Sequence, residues 1–322
     1  MIGSNLVKKL VEQNHEVLII DNLWRGKMEY LNDFNTNAPC IDLKRNFFNL
    51  DLSEPVKDIE PFKGIDYIYH LADVVAGIGY VFSNQSSIFR QNILINSNTI
   101  DLARKLKVKG FIYAGTACSF PAELQNSFDY KLLKEDELYP ANPESAYGWS
   151  KLMGIYETDL LEKEFDIKVL SLIFHNIYGA PCDFSDARSQ VIPSLIRKAV
   201  SYPNEDFVVW GSGKQGRAFL HIDDVINALV LGLNRGLGKG YIQIGPDFST
   251  TIAELASLIV EISGKNIKIV FDTSKPEGDK ARAANYSKAL SELGWQPLVD
   301  LKEGLARTFS WIEHQMRTQN PK

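Results

Sequence analysis

The sequence predicts an α/β protein with a doubly wound parallel sheet and a smaller C-terminal α/β part. Apolar runs at 67–72, 110–114 and 169–174 have the length and composition of buried strands, and helical patterns separate them. Because parallel neighbours need a long crossover, usually a helix, this alternation indicates a parallel sheet. One of these helices begins with a Tyr-x-x-x-Lys pair formed by Tyr147 and Lys151.

Length and composition exclude several other classes of protein. The chain has 322 residues and a formal net charge of -5, so no basic field suggests a nucleic-acid partner. Its 3 cysteines provide neither a disulfide framework nor a paired metal-ligand spacing, and we expect a reducing, cytoplasmic setting. No apolar run approaches the length of a membrane span.

The N-terminal segment resembles the second half of a nucleotide-binding βαβ unit. Residues 2–10 repeat apolar side chains on one helical face, and residues 15–21 then read as a strand that ends in Asp21. We expect a leading strand and most of a glycine-rich turn to precede this segment, with Gly3 as the last glycine of that turn. A fold that simply begins with a helix is the alternative.

Two acidic residues follow predicted strands in this part of the chain. An acid at the position of Asp21 binds a ribose diol and repels a 2′-phosphate, which favours NAD over NADP. Arg25, close by, is a competing signal because it could pair with that phosphate. Asp51, followed by Leu52, is placed to meet an adenine amino group.

Four residues of the middle segment are candidates for chemistry. Tyr147 and Lys151 are four positions apart, so a helix places both on one face. We expect the ammonium to lower the pKa of the phenol, which could then serve as acid or base near neutral pH. Thr116 and Cys118 follow the strand at 110–114, where parallel sheets bind ligands. A buried aromatic beside a solvated lysine, and an inert buried cysteine, are the structural alternatives.

Taken in order, the motifs resemble those of the extended short-chain dehydrogenase/reductases, the NAD-dependent epimerase/dehydratase family of nucleotide-sugar enzymes. The resemblance runs from Gly3 to about Trp311. The motifs that carry it are Ile2-Gly3, Asp21-Asn22-Leu23, His70-Leu71-Ala72, Thr116, Tyr147-x-x-x-Lys151, Asn176-Ile177-Tyr178-Gly179 and Arg217-x-Phe219-Leu220-His221-Ile222-Asp223-Asp224.

The resemblance implies a Rossmann-like NAD-binding domain over 1–168, to which a segment at about 207–245 returns, and a mainly substrate-binding part over 169–322. It also implies a homodimer that pairs through the helices containing Asn92 and Tyr147. The implied contacts with NAD are Gly3, Asp21, Asn22, Asp51, Leu52, Leu71, Ala72, Asn92, Tyr147 and Lys151. The implied contacts with a nucleotide-diphosphate sugar are Gly77, Cys118, Asn176, Gln190, Val191, Trp210 and Arg217.

Within the family, the motifs are most similar to GDP-mannose 3,5-epimerases and GDP-fucose synthases, which carry a cysteine two residues after the catalytic Ser or Thr. The resemblance implies that Tyr147 removes a sugar hydroxyl proton while NAD takes hydride from C4, with Thr116 bound to the oxygen. Lys151 would support Tyr147 and hold the nicotinamide ribose. Cys118, as thiolate, would remove a proton from a ring carbon beside the 4-keto group, and Arg217 would bind the diphosphate.

Two departures keep other functions open. Gln190 stands where these relatives carry a lysine or histidine acid/base, so that water or His175 would have to act on one face. Asp73 stands where alanine is usual. The expected function is epimerisation of a GDP-hexose through a 4-keto sugar. The alternatives are a 4-epimerase, a C4 oxidoreductase such as a fucose synthase, a 4,6-dehydratase, or a catalytically impaired nucleotide-sugar-binding protein.

Overall fold

A computed structural model of the protein describes residues 1–33, 36–185 and 189–319. In chain order its helices are α1 Ile2–Glu12, α2 Leu43–Asn46, α3 Ile78–Ser83, α4 Gln85–Leu106, α5 Ala146–Glu164, α6 Val191–Ser201, α7 Ile222–Leu231, α8 Ile252–Ser263, α9 Ser287–Leu293 and α10 Leu301–Gln319. Its strands are β1 Ile19–Ile20, β2 Phe47–Phe48, β3 Tyr67–His70, β4 Gly110–Thr116, β5 Leu132–Leu133, β6 Lys168–Phe174, β7 Asn176–Tyr178, β8 Val208–Trp210, β9 Gly216–Arg217, β10 Phe219–His221, β11 Gly240–Ile244, β12 Thr250–Thr251, β13 Val270–Asp272 and β14 Ala283–Ala284.

The centre of the molecule is a parallel sheet with the strand order β11, β6, β4, β3. Its register places Ile112 of β4 opposite Leu170 of β6 on one side and opposite Tyr69 of β3 on the other. The crossovers carry helices, α4 between β3 and β4 and α5 between β4 and β6. The predicted doubly wound α/β fold is confirmed.

Alternate residues of the central strands enter two hydrophobic cores on opposite faces of the sheet. Ile112 packs in one core with Val225 of α7, whereas Phe111 and Tyr113 pack in the other with Leu152 of α5. Successive strand residues point to opposite faces, so one apolar strand can serve both cores. Burial on both faces fixes the sheet, and with it the C-terminal ends of β3, β4 and β6.

A second parallel pair, β1 with β2, lies apart from the central sheet. The sequence predicts a strand over 15–21, but only Ile19 and Ile20 form ladder pairs. Within the described residues, β1 has a partner on one edge only and β3 likewise pairs only with β4. A backbone that lacks a second neighbour gains fewer hydrogen bonds from extending, which accounts for the short strand.

Helices α6, α8 and α10 surround a third hydrophobic core in the later part of the chain. The parallel pair of β8 and β13 packs beside this core, and β10 pairs with β7, which directly follows β6. Strand β6 begins at Lys168 and lies in the central sheet. The boundary expected after residue 168 would assign almost all of this strand to the second part of the chain, whereas β6 pairs with β4 in the central sheet.

Helices α4 and α5 pack side by side. Asn96 of α4 is buried, and its Nδ2 donates to the backbone oxygen of Ser150 in α5 at 3.4 Å. This contact fixes the first turns of α5, which carry the Tyr-x-x-x-Lys pair. In the part of the chain that the structure describes, no helix has both the length and the hydropathy needed to cross a bilayer.

Candidate active site

A cavity of about 1500 Å³ lies at the C-terminal ends of β3, β4 and β6 and extends to β1 and α1. It brings together all of the residues that the sequence assigns to cofactor, sugar or chemistry, with the exception of Asn92. The residues that line it are Gly3, Asp21, Asn22, Asp51, Leu52, Leu71, Ala72, Gly77, Thr116, Cys118, Tyr147, Lys151, Asn176, Gln190, Val191, Trp210 and Arg217.

Asn92 is fully buried between α4, α5 and the loop after β3. Its Oδ1 accepts a hydrogen bond from the Val74 N–H at 2.7 Å, and its Nδ2 donates to Ser150 Oγ at 3.3 Å. Buried amides keep such partners, since losing them is costly. The structure therefore corrects the expected NAD contact: Asn92 holds the loop in place and lies outside the cavity lining.

Tyr147 and Lys151 lie in the first two turns of α5. Ser145 caps this helix by accepting a hydrogen bond from the Gly148 N–H at 3.2 Å. The cap fixes where the helix begins, and the spacing of four places both functional side chains on the cavity side. Both residues line the cavity together with Thr116.

Gly148 sets how closely α5 approaches the loop that carries Cys118. A Cβ atom at this position would lie 2.2 Å from the Cys118 backbone oxygen. We expect Gly148→Ala to lower the free energy of unfolding by about 1–3 kcal/mol, because the loop must move away. Chemical denaturation measures the change.

Gly3→Ala is the matched control for that substitution. A Cβ at Gly3 would meet only Leu71 Cδ1, at 4.0 Å, so the space is open. Because Gly3 lies in the first turn of α1, where alanine is helix-compatible, alanine there should not lower the free energy of unfolding. A Gly148→Ala protein as stable as the wild type would contradict the tight contact.

The Tyr147 phenol is held in its protonated form by its surroundings. Burial raises the pKa of Tyr147 above its ordinary value near 10, and the neighbouring charges of Cys118 and Asp73 raise it further. A hydrogen bond with Thr116 and the charge of Arg282 act in the opposite direction. The sequence predicts that Lys151 lowers this pKa, but in the structure burial raises it, and the Lys151 ammonium is paired with a carboxylate.

That carboxylate belongs to Asp73. The Lys151 and Asp73 side chains are 4% and 1% exposed, and Lys151 Nζ forms a close ion pair with Asp73 Oδ2. The ammonium also lies over the Tyr113 ring, 4.6 Å from its centroid. Burial raises the pKa of Asp73, and the charge of Lys151 opposes that rise.

Thr116 and Cys118 project from the end of β4. The Thr116 hydroxyl accepts a hydrogen bond from the Cys118 N–H at 3.3 Å and so fixes the turn. Arg282 donates through Nη2 to Cys118 Sγ at 3.4 Å. This contact places the positive charge of a guanidinium beside the sulfur.

Arg282 was missed in the sequence, where it stands between two alanines with no motif around it. It is 4% exposed, and its Nη1 donates to Asp279 Oδ2 and Gln125 Oε1, each at 2.7 Å. Burial alone would lower the pKa of Arg282, but the charges of Cys118 and Asp279 outweigh burial and raise it. The guanidinium therefore stays charged beside the sulfur.

Arg217, expected to bind a diphosphate, points in this structure towards main-chain carbonyls. Its guanidinium donates to the backbone oxygens of Asp279 at 2.7 Å and Glu277 at 3.1 Å. Burial and the nearby charge of Arg282 lower the pKa of Arg217 to about 10, which still leaves it charged at neutral pH. Its remaining donors are the ones a ligand phosphate could use.

Glu144 is a second residue that the sequence did not indicate. It lines the cavity just before α5. Burial and the carboxyl of Asp279 raise the pKa of Glu144 to about 7, against the opposing charges of Arg217 and Arg282. Glu144 is therefore a carboxyl group in this cavity that exchanges its proton near neutral pH.

Neither Gln190 nor His175 provides a group that exchanges a proton near neutral pH. Gln190 is the residue before α6 and lines the cavity, but an amide does not titrate. His175 is 5% exposed, and its Nε2 lies 2.7 Å from Gln243 Oε1. Burial lowers the pKa of His175 to about 3, so the imidazole is neutral at physiological pH. His175 is thus a poor substitute for the missing lysine or histidine.

The other end of the cavity fits the adenosine half of a dinucleotide. The open space at Gly3 lies at the N-terminus of α1, where main-chain N–H groups favour phosphate. Asp21 directly follows β1, and its Oδ1 accepts a hydrogen bond from the Leu23 N–H at 2.6 Å, which orients the carboxylate. Asn22 Nδ2 donates to Asp51 Oδ2 at 3.3 Å. Arg25 instead donates to the Val75 backbone oxygen at 2.7 Å.

This combination of fold and site defines the class of protein. Residues 1–245 match the model of the NAD dependent epimerase/dehydratase family. The chain belongs to this family, whose members are enzymes that act on nucleotide sugars with a nicotinamide cofactor.

Comparison with individual relatives shows which kinds of enzyme in this family the chain resembles. The chain is 31% identical to GDP-mannose 3,5-epimerase of Arabidopsis thaliana over 321 residues, covering 100% of this chain and 82% of the relative. It is 31% identical to GDP-L-fucose synthase of Escherichia coli over 286 residues, covering 85% and 88%. Its fold matches UDP-glucose 4-epimerase of Thermotoga maritima with a TM-score of 0.85 and 25% identity, covering 98% and 96%.

Proposed function

We propose that this protein is an NAD-dependent epimerase that acts on a GDP-hexose through a transient 4-keto sugar. The observation that carries the proposal is Cys118, held 3.4 Å from the Arg282 guanidinium in the cavity that also contains Tyr147 and Thr116. Inversion beside a ketone needs one set of groups for oxidation and a separate base for the neighbouring carbon. The similarity to GDP-mannose 3,5-epimerase supports a GDP-hexose.

The oxidation is assigned to Tyr147, Thr116 and Lys151. NAD, when bound, accepts a hydride from the sugar carbon. Thr116 hydrogen-bonds the C4 oxygen, and Tyr147 takes the proton from that hydroxyl as the carbonyl forms. Lys151 provides the positive charge that stabilises the phenolate form of Tyr147, the form that takes this proton and becomes a neutral phenol.

Inversion is assigned to Cys118. The carbonyl at C4 makes the protons at C3 and C5 acidic because an enolate spreads the negative charge. The Cys118 thiolate removes one of these protons, and Arg282 retains a counter-charge beside the sulfur. The return of a proton is assigned to Glu144, with its pKa near 7, in place of the residue that Gln190 replaces.

A C4 oxidoreductase or 4-epimerase is the second candidate, and Gln190 is the observation that favours it. Either reaction uses Tyr147 and Thr116 without a second acid/base. A 4,6-dehydratase is disfavoured because Ala117-Cys118 stands in place of the Asp-Glu pair of those enzymes. A binding-only role would leave the placement of Tyr147, Thr116 and Cys118 in one cavity without a purpose.

Incubation of the protein with NAD and either GDP-mannose or UDP-glucose tests the proposal. We expect conversion of GDP-mannose to a hexose inverted at C3, C5 or both, identified by NMR of the isolated product. Conversion of UDP-glucose to the C4 epimer, with GDP-mannose unchanged, would establish the second candidate instead.

The contact between Arg282 and Cys118 can be tested without a substrate. Arg282→Gln removes the charge beside Cys118, and hydrogen bonds to charged groups contribute roughly 1.5–3 kcal/mol, so thiolate reactivity should fall about tenfold or more. The rate of iodoacetamide alkylation at Cys118, followed by peptide mass spectrometry at pH 7, measures the loss.

Two controls accompany this experiment. Cys40, in the same molecule, is partly exposed and lies outside the cavity lining that includes Arg282, so its alkylation rate should stay constant. Arg307→Gln removes a half-exposed arginine that pairs with Asp223, away from the cavity. Equal Cys118 alkylation in the wild type and Arg282→Gln would show that Arg282 does not activate the sulfur.

A further inference from the structure

Lys151 and Asp73 form an almost fully buried ion pair beside the cavity. Their side chains are 4% and 1% exposed, and the two residues lie 78 positions apart in the chain. Asp73 follows β3 and Lys151 lies in α5, so the pair also joins the two elements that flank the cavity. The second carboxylate oxygen, Oδ1, is buried and has no hydrogen-bond partner among the described residues.

Such a carboxylate is unusual enough to need an explanation. Buried polar atoms nearly always have partners, and an uncompensated one is costly. A buried carboxylate is tolerated only with a close counter-charge. Here the counter-charge is the ammonium of the helix that carries Tyr147, and Asp73 itself lines the cavity.

The charges around this pair are few. Tyr113 lies under the ammonium, and its ring centroid is 4.6 Å from Lys151 Nζ. His70 is buried and hydrogen-bonded to Asn96 at 2.8 Å, and burial lowers its pKa to about 3, so it adds no charge. Cys118 and Arg282 are the other charged groups that act on Tyr147, the first raising and the second lowering its pKa.

We propose that Asp73 is a positioning residue for the catalytic pair: it holds the Lys151 ammonium in a buried ion pair and so withholds that positive charge from Tyr147. The ligand-free protein then rests with a neutral phenol, ready to donate a proton. Tyr147 becomes a base only when ligand binding weakens the ion pair between Asp73 and Lys151, so that the ammonium can act on the phenol. This inference rests on the roles proposed above for Tyr147 and Lys151.

The inference explains two observations together. Burial is the largest cause of the raised pKa of Tyr147, and the inference accounts for the further contribution of Asp73, whose charge raises this pKa while its ion pair occupies the Lys151 ammonium. It also gives the partnerless Asp73 oxygen a purpose, since Oδ1 can accept a hydrogen bond or a proton from a group that enters the cavity. With alanine at position 73, Lys151 would act on Tyr147 without this restraint.

NMR titration of the protein without substrate or cofactor tests the proposal. With tyrosine labelled at Cζ with carbon-13, Tyr147→Phe assigns the Tyr147 signal, which reports ionisation of the phenol. In the wild type we expect no ionisation of Tyr147 below pH 10. In Asp73→Asn the midpoint should fall by about one to three pH units, the effect of a nearby opposite charge.

The double variant Asp73→Asn, Lys151→Met separates charge from packing. It removes the freed ammonium, so the Tyr147 midpoint should return to or above that of the wild type. An Asp73→Asn protein whose Tyr147 titrates as in the wild type would overturn the proposal. So would a wild-type Tyr147 that ionises below its ordinary value of about 10, a result that requires no variant.

The titration is independent of which sugar the enzyme uses. A protein that fails to epimerise GDP-mannose but shows these midpoints would reject the proposed function and retain the role of Asp73. With an identified substrate, the pH at which sugar oxidation is half-maximal should fall in Asp73→Asn by the same amount. A uniform loss of rate with no change in the pH profile would indicate a merely structural role.

Discussion

Cys118→Ser should abolish exchange of the ring protons while oxidation at C4 continues. A serine hydroxyl is far less acidic than a thiol and cannot serve as a carbon base near neutral pH. Loss of a positioned base typically costs about 10²–10⁴-fold in rate, and we expect the upper part of that range. The measurement is NMR of the sugar in deuterated water, alongside absorbance of reduced cofactor.

Cys40→Ser is the control, because Cys40 is partly exposed and lies outside the cavity lining. It should exchange ring protons at the wild-type rate. If Cys118→Ser lost C4 oxidation to the same extent as exchange, the sulfur would be needed for binding or folding, and its assignment as the carbon base would be wrong.

Tyr147→Phe should remove hydride transfer itself. The phenol is the group that exchanges a proton with the C4 oxygen, and its loss should lower the rate by about 10²–10⁴-fold. Phenylalanine keeps the ring that packs against the hydrophobic cluster of Leu52 and Ile88, so the fold should persist. Single-turnover reduction of NAD by the sugar nucleotide measures the effect.

Tyr156→Phe is the matched control on the same helix. Tyr156 is 51% exposed, and its hydroxyl has no role in the proposed chemistry. It should leave the rate within about twofold, since exposed substitutions away from a site change stability by less than about 0.5 kcal/mol. Retention of hydride transfer in Tyr147→Phe would exclude Tyr147 as the acid/base.

The parts of the site that could be predicted are those encoded within a few residues of one another. The four-residue spacing of Tyr147 and Lys151 fixes a shared helix face, and the position of Thr116 and Cys118 after an apolar run fixes a strand end. The central strands were also predictable from local sequence, because strands buried on both faces consist of continuous apolar runs. The prediction of a strand over residues 15–21 failed, because the length of that strand depends on its pairing with a neighbouring strand and not on the composition of the segment.

The missed features are pairings across the chain. Arg282 meets Cys118 over a separation of 164 residues, and Asp73 meets Lys151 over 78. Neither partner has a local signature, since an isolated charged residue usually indicates a solvated surface. The family resemblance implied that Asn92 contacts NAD, whereas in the structure its buried amide binds the loop that it supports.

The most direct measurement of the central claim is the fate of hydrogen in GDP-mannose during turnover in deuterated water with NAD. The proposed chemistry predicts a product that contains deuterium at C3 or C5 and keeps its original hydrogen at C4, because hydride leaves and returns without meeting solvent. A product inverted only at C4, with every ring proton retained, would contradict it.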